Sequence, residues 1–257
     1  MRAFKVLQFN IQFGQKWDDR DPDEAPVDLD GTIAEIRAQD ADVIFLQEVE
    51  QAQPGGVQKH PPPNFERIRA ALPGYDSYFS YPREDPRELP FGIGLAIFSR
   101  TPLTDRRRRD LASPPIEFTF LGEKKTPTDR VLIGARTVIG GRILRVYNTH
   151  LLAFFMLNAD SDDYGDQRQS LIEELKLADG PALMGGDFNI EKVGSLVKQF
   201  DRAGFRTVQT ERATWRRRPY VLDHLFYNSP LKLVGHAVQE TQASDHHMLV
   251  ARFAFAD

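Results

Sequence analysis

Short runs of consecutive apolar residues, each closing on a polar side chain, set the rhythm of this chain. Phe4-Lys5-Val6-Leu7-Gln8-Phe9 has strand composition and ends on Asn10, and Val43-Ile44-Phe45-Leu46 delivers Gln47 and Glu48. Gly92 to Arg100 reads as a further strand. Val131–Val138 and Arg142–Asn148 predict a hairpin across Gly140-Gly141 whose second strand finishes on Thr149-His150. Pro181–Met184 runs into Gly185-Gly186-Asp187-Phe188-Asn189, Val221–Tyr227 holds an acid, Asp223, inside it, and Leu231–Val238 is another strand. Ser244-Asp245-His246-His247 then precedes a last strand, Met248–Phe253. Unbroken apolar runs suit strands covered on both faces.

Helical spacing is sparser. Ile33, Ile36 and Arg37 share one face; Phe65, Ile68 and Leu72 follow a cap at Asn64; and Asp166 to Leu177 turns Leu171, Ile172 and Leu175 inward. A helix is expected from Ile190 onward, with Val193, Leu196, Val197 and Phe200 on its apolar face. Charged or Pro/Gly-rich loops fill Asp18–Asp30, Gln51–Pro63 and Tyr81–Pro90. Many strands and few helices favour two packed sheets with helices outside. Without a repeat, linker or composition break, residues 1–257 read as a single domain.

A chain of 257 residues that is 41% hydrophobic can bury a sizeable core. Lys and Arg total 33 against 37 Asp and Glu, a formal charge of -4, so no global positive field recruits nucleic acid or an anionic membrane. There is no cysteine, which removes disulfides, thiolate metal sites and a cysteine nucleophile. Met1 to Lys5 runs straight into the first strand without an apolar signal core, and no apolar run nears the ~20 residues of a membrane span. A soluble, cytoplasmic monomer is expected.

The polar residues at the strand ends form a constellation: Asn10, Glu48, His150, Asp187 with Asn189, Asp223, and Asp245-His246. Asp187 and Asn189 are two apart, so strand geometry sends both to one face and Phe188 to the other, while Gly185 and Gly186 let the backbone turn beside a ligand. Alone, that segment reads equally as an ordinary turn. Four acids at apolar strand ends, however, need a cation or histidine partners. Mg²⁺ or Mn²⁺ suits the oxygens of Asn10, Glu48 and Asp245; zinc is disfavoured without thiolates or helically spaced histidines. Asp223 can hold His246 in one tautomer as a base or an electrostatic unit, the two lying on late strands able to pair in one sheet.

The sequence resembles the endonuclease/exonuclease/phosphatase superfamily of DNase I-like nucleases, sphingomyelinases and inositol polyphosphate phosphatases. The matching pieces are Phe9-Asn10, Leu46-Gln47-Glu48-Val49, Gly94 to Arg100, Asn148-Thr149-His150-Leu151, Gly186-Asp187-Phe188-Asn189, Leu222-Asp223-His224-Leu225-Phe226 and Ser244-Asp245-His246, in family order along nearly the whole chain. The resemblance implies an α/β fold, a four-layer α/β/β/α sandwich of two packed mixed sheets, that hydrolyses phosphate esters with a divalent metal. Asn10 and Glu48 would hold the metal, and Asp187 with Asn189 would orient the attacking water and the developing phosphorane. Asp223 would align His246, Asp245 would help the metal or solvent network, and His150 would contact the phosphate or assist the leaving group. The Tyr and Pro-Asn elements of abasic-site endonucleases are missing, no Tyr lying between Tyr81 and Tyr147, and the absence of Cys removes the inositol phosphatase signature.

The expected activity is a phosphodiesterase acting on nucleic acid or a small or lipid phosphodiester. The alternatives are a phosphomonoesterase of the same fold and a binding module that keeps the fold without catalysis. Arg106–Arg109 and Arg216–Arg218 read as phosphate-tracking patches or as solvated edges, and Leu151–Leu157 as core or as a lip touching a membrane. His60, His236 and His247 read as surface or packing residues, and His224 as a wall residue.

Overall fold

The structure, a computed structural model, describes residues 3–256; Met1 and Arg2 at the start of the expected signal-free stretch, and Asp257, lie outside the described residues. The elements in chain order are β1 (Phe4–Asn10), α1 (Leu29–Ala38), β2 (Val43–Gln51), α2 (Pro63–Ala71), β3 (Asp76–Ser80), β4 (Gly92–Ser99), β5 (Thr104–Leu111), β6 (Phe118–Phe120) and β7 (Glu123–Lys125). Then come β8 (Arg130–Ile139), β9 (Arg142–His150), α3 (Asp166–Lys176), β10 (Ala182–Asp187), α4 (Val193–Asp201), β11 (Phe205–Thr207), β12 (Asp223–Asn228), β13 (Leu231–Gln239) and β14 (Met248–Phe255).

Two six-stranded sheets have the orders β13-β14-β1-β2-β4-β3 and β11-β12-β10-β9-β8-β5. Each is mixed, with one parallel pair at its centre, β1 with β2 and β10 with β9. Their inner faces pack through Val6, Val43, Phe45, Val146, Leu183 and Leu225. The outer face of the first sheet is covered by Ile33 and Ile36 of α1 and Phe65 and Ile68 of α2, that of the second by Leu171 and Ile172 of α3 and Leu196 and Phe200 of α4. The fold is the four-layer α/β/β/α sandwich. Among the described residues no helix is long and apolar enough to cross a membrane.

Two local expectations are corrected. The helix after Asn189 starts only at Val193, because Ile190 is spent in the outer core. Asn64 does not cap α2, which opens on Pro63; its amide instead bonds the carbonyls of Phe13 and Val49, and the orphan N–H of Phe65 is taken by Glu50 Oε1 at 2.8 Å.

Candidate active site

The inward side of each central strand climbs through the same three tiers, because inward positions recur every second residue. An apolar tier (Val6, Val43, Val146, Leu183, Tyr227) is followed by Gln8, Phe45, Asn148, Gly185 and Leu225, and then by Asn10, Gln47, His150, Asp187 and Asp223. Gln8, Gln47 and Asn148 form a buried amide network across these tiers. Gln47 Nε2 bonds Gln8 Oε1 at 3.0 Å and Asn148 Oδ1 at 2.6 Å, and Gln8 Nε2 reaches Asp223 Oδ1 at 3.2 Å. Gly185 is required there: a Cβ would lie 2.4 Å from Phe45 Cδ2 and 2.9 Å from Gln8 Oε1, so any side chain would force the sheets apart.

Glu48 breaks the two-residue period. After outward Leu46 and inward Gln47 it would face outward, but β2 runs on to Gln51 with an irregularity against β4 between Gln47 and Glu50, and Glu48 takes φ 51°. Left-handed backbone is costly for a glutamate, by about 1–3 kcal/mol, and the kink here aims the carboxylate into the site. Its side chain lies over Gly92, where a Cβ would come within 2.3 Å of Glu48 Cβ.

Asp187 Oδ2 is the hub. It accepts Asn10 Nδ2 at 3.1 Å and lies 3.6 Å from both His150 Nε2 and His246 Nε2. Asn10 Nδ2 also donates to Glu48 Oε1 at 3.0 Å, and His150 Nε2 is 3.8 Å from the same oxygen. His246 Nδ1 is 2.7 Å from Asp223 Oδ2. The two do not pair within one sheet as expected: Asp223 opens β12 of the second sheet, and His246 sits in the loop before β14 of the first. Asn189 turns away from the strand face it was expected to share with Asp187. At φ 51° its N–H bonds Asp187 Oδ1 at 3.0 Å, and its Nδ2 bonds the Leu151 carbonyl at 3.0 Å. Phe188 is buried in the outer core, as expected.

Asp245 stands at the rim of this group. Its Oδ2 accepts Trp215 Nε1 at 3.1 Å and Arg217 Nε at 3.0 Å, and Arg217 also pairs with Asp23 at 2.7 Å. The sets with ligand atoms close enough to share an ion are Glu48, His150 and Asp187, and Asp187, Asp223 and His246, among the described residues.

Burial dominates the electrostatics. It pushes the Glu48 carboxyl up to about 7, helped by the Asp245 charge and opposed by the bond from Asn10 and the charge of His246. Burial raises Asp187 as well, against the pull of His246. For His246 burial acts downward, yet the charges of Asp223 and Asp187 outweigh it and hold the imidazole well above its ordinary range, protonated at neutral pH. His150 goes the other way: burial, then the charges of Arg130 and His246, leave it neutral.

Several contributors were not singled out from sequence. Arg130 faces His150 electrostatically, has no ion pair among the described residues, and buries an Nε without a hydrogen-bond partner. The hairpin register was its signal, since Val131 pairs with His150. Gln8 and Trp215 act through contacts between distant segments, and Arg217, read only as part of a basic run, does so by pairing with Asp245. The first arginine run lies on β5 at the edge of the second sheet and is neutralised by Asp76, Asp105, Asp110 and Glu173. His224 is not a site wall; it is fully buried in the outer layer, stacked on Phe226 at 5.3 Å.

With this geometry the comparison with known proteins is decisive. The sequence profile described as "Endonuclease/Exonuclease/phosphatase family" matches residues 7–246. The chain belongs to the endonuclease/exonuclease/phosphatase family. Members of this family are phosphohydrolases. A UPF0294 protein of Yersinia enterocolitica is 31% identical over 127 residues, 48% of this chain and 47% of that protein, so the chain spans about half the length of the curated relatives it matches. An endonuclease/exonuclease/phosphatase from Beutenbergia cavernae superposes with TM-score 0.73 at 20% identity over 100% of this chain and 72% of that one. The human nocturnin catalytic domain with bound sulfate gives TM-score 0.64 at 22% identity over 99% and 95%. These likenesses establish the fold shared with the family.

Proposed function

We propose that the chain is a Mg²⁺- or Mn²⁺-dependent phosphodiesterase. The observation that carries this reading is the convergence on Asp187 Oδ2 of Asn10, His150 and His246, beside a Glu48 carboxyl that burial pushes up to about 7. Neighbouring acids in a dry site demand a cation, and their oxygens suit a hard one. Glu48 and Asn10 would hold it, with Asp245 as a nearby acid. As placed, Asn10 offers Nδ2 to both carboxylates, so it serves as an oxygen ligand only with its amide turned. When bound, the ion would offset charge on the non-bridging and leaving oxygens of the phosphate.

The chain's own residues divide the remaining work. Asp187, its pKa raised toward neutrality, takes the proton of the attacking water, and the Asn189 N–H keeps that carboxylate oriented. His246, protonated and locked by Asp223, supplies positive charge to the phosphorane; an imidazole already charged at neutral pH is no base. Neutral His150 donates a hydrogen bond to the leaving oxygen. Arg130, lacking a carboxylate partner, is available to a phosphate oxygen. The sulfate bound to nocturnin's catalytic domain supports a tetrahedral oxyanion as a ligand for this fold.

The test is hydrolysis of bis(4-nitrophenyl) phosphate by chelator-treated protein before and after Mg²⁺ or Mn²⁺ is restored. Turnover should vanish on chelation, return with either ion, and exceed that on 4-nitrophenyl phosphate. Turnover independent of metal, or a preference for the monoester, contradicts the reading.

A further inference from the structure

Beside the catalytic histidines the chain builds a surface that phosphate chemistry alone does not require. The segment leaving His150 forms one 3-10 turn, Phe154–Leu157, and the segment leading into Asp223 carries Trp215 and Tyr220. These two segments meet. The Phe155 ring lies 5.5 Å from Trp215 and 5.4 Å from Tyr220, and Trp215 lies 6.4 Å from the His246 imidazole. Phe154, next in the chain, is buried and stacked on Tyr164, whereas Phe155, Trp215 and Tyr220 are all only half-buried. Rings recruited simply to fill a core would be covered as Phe154 is.

The surface is also firmly placed. Trp215 N–H bonds the Tyr220 carbonyl at 3.2 Å, closing the loop between the two rings, and Thr214 Oγ1 accepts the N–H groups of Leu222 and Asp223 at 3.0 Å each. The aromatic faces are therefore fixed relative to the Asp223–His246 pair.

We propose that Phe155, Trp215 and Tyr220 form the subsite for a planar base carried by the substrate, which makes the substrate a nucleotide phosphodiester. The proposal rests on the phosphodiesterase reading for the position of the phosphate, at Asp187 and His246. Aromatic side chains hold nucleobases by stacking, which tolerates any base. The loop between Trp215 and Tyr220 carries Arg216, Arg217 and Arg218, of which Arg218 has no ion pair among the described residues, a charge that favours a polyanionic chain over an acyl tail. The apolar exposure needed by a lipid surface is limited here to Met156, 58% exposed.

The protein contains two tryptophans, so a Trp17→Phe background leaves Trp215 as the sole indole reporter. Its fluorescence is titrated with AMP and with ribose 5-phosphate in the presence of Mg²⁺, in that background and after Phe155→Leu or Tyr220→Leu. Trp215 is kept because it bonds Asp245. AMP should bind at least about tenfold more tightly than the base-free phosphate, and each leucine should shrink that ratio severalfold. Equal binding of the two ligands, or a ratio unmoved by both substitutions, overturns the subsite. Tighter binding of a short-chain lysophospholipid below its micelle concentration also overturns it and assigns the wall to an acyl chain. A protein that binds AMP through the wall but hydrolyses no phosphate ester retains the base subsite and sinks the phosphodiesterase reading instead.

Discussion

Asp223 opens β12 of the second sheet and His246 lies in the loop that leads into β14 of the first, yet Asp223 Oδ2 lies 2.7 Å from His246 Nδ1 across the mouth of the sandwich. This contact joins the second sheet to the loop ahead of β14 and gives His246 its charge. Gln8 Nε2 holds the other Asp223 oxygen at 3.2 Å, so the acid is clamped from both sides.

The pair should therefore behave as one unit. His246→Ala is expected to lower turnover on the order of 10²–10³-fold, the loss of one electrostatic stabiliser of the phosphorane. Asp223→Asn should cost little more in that background, because it acts through the imidazole it positions. A double-mutant cycle on a nitrophenyl diester measures this, and losses that simply multiply would show the two residues acting independently.

His150 lacks such an acid: its nearest carboxylates are Glu48 at 3.8 Å and Asp187 at 3.6 Å, and it is neutral at pH 7. A hydrogen bond to the leaving oxygen matters most when that oxygen carries most charge. His150→Ala should lose most on alkyl diesters and least on nitrophenyl diesters. A loss that is the same for every leaving group contradicts the role.

Buried His224 gives a pH dependence unrelated to catalysis. Burial, only partly opposed by Asp223, lowers its pKa from 6.5 to about 4. Between those values the unfolded chain binds a proton that the folded protein refuses, so stability is lost as pH falls through this window. The full shift corresponds to on the order of 3 kcal/mol. His224→Phe should remove that dependence, so the stability of wild type minus that of variant should decrease from pH 7 to pH 5 in urea unfolding. A constant difference would rule it out.

Gly92 makes room for the kinked glutamate. With a Cβ there 2.2 Å from Glu48 Oε2, Gly92→Ala should displace the carboxylate and abolish most turnover, while unfolding reports only the about 1–3 kcal/mol typical of overpacking. Wild-type turnover in this variant would mean that Glu48 is not needed where it stands.

The central strands were legible because both of their faces are covered, leaving unbroken apolar runs that stop where Asn10, His150 and Asp187 begin. The edge strand β5 was not, whereas the edge strand β13 was: β5 is held by arginines paired with acids on neighbouring elements, so its sequence lacks the apolar run of a central strand. Glu48 was read as a strand-end acid but not as a kink in the strand, since nothing in a glutamate announces positive φ. The Glu50 cap on α2 joins segments distant in sequence, and the Asp223–His246 contact, expected within one sheet, bridges the two, because composition does not say which sheet a strand enters.

Turnover should depend on a cation held at Glu48. Mn²⁺ binding by calorimetry and hydrolysis of bis(4-nitrophenyl) phosphate are measured together on wild type and Glu48→Gln, with folding checked by thermal unfolding. The expected result is a folded variant that has lost both metal affinity and turnover. A folded Glu48→Gln protein with near-wild-type affinity and turnover would contradict the site.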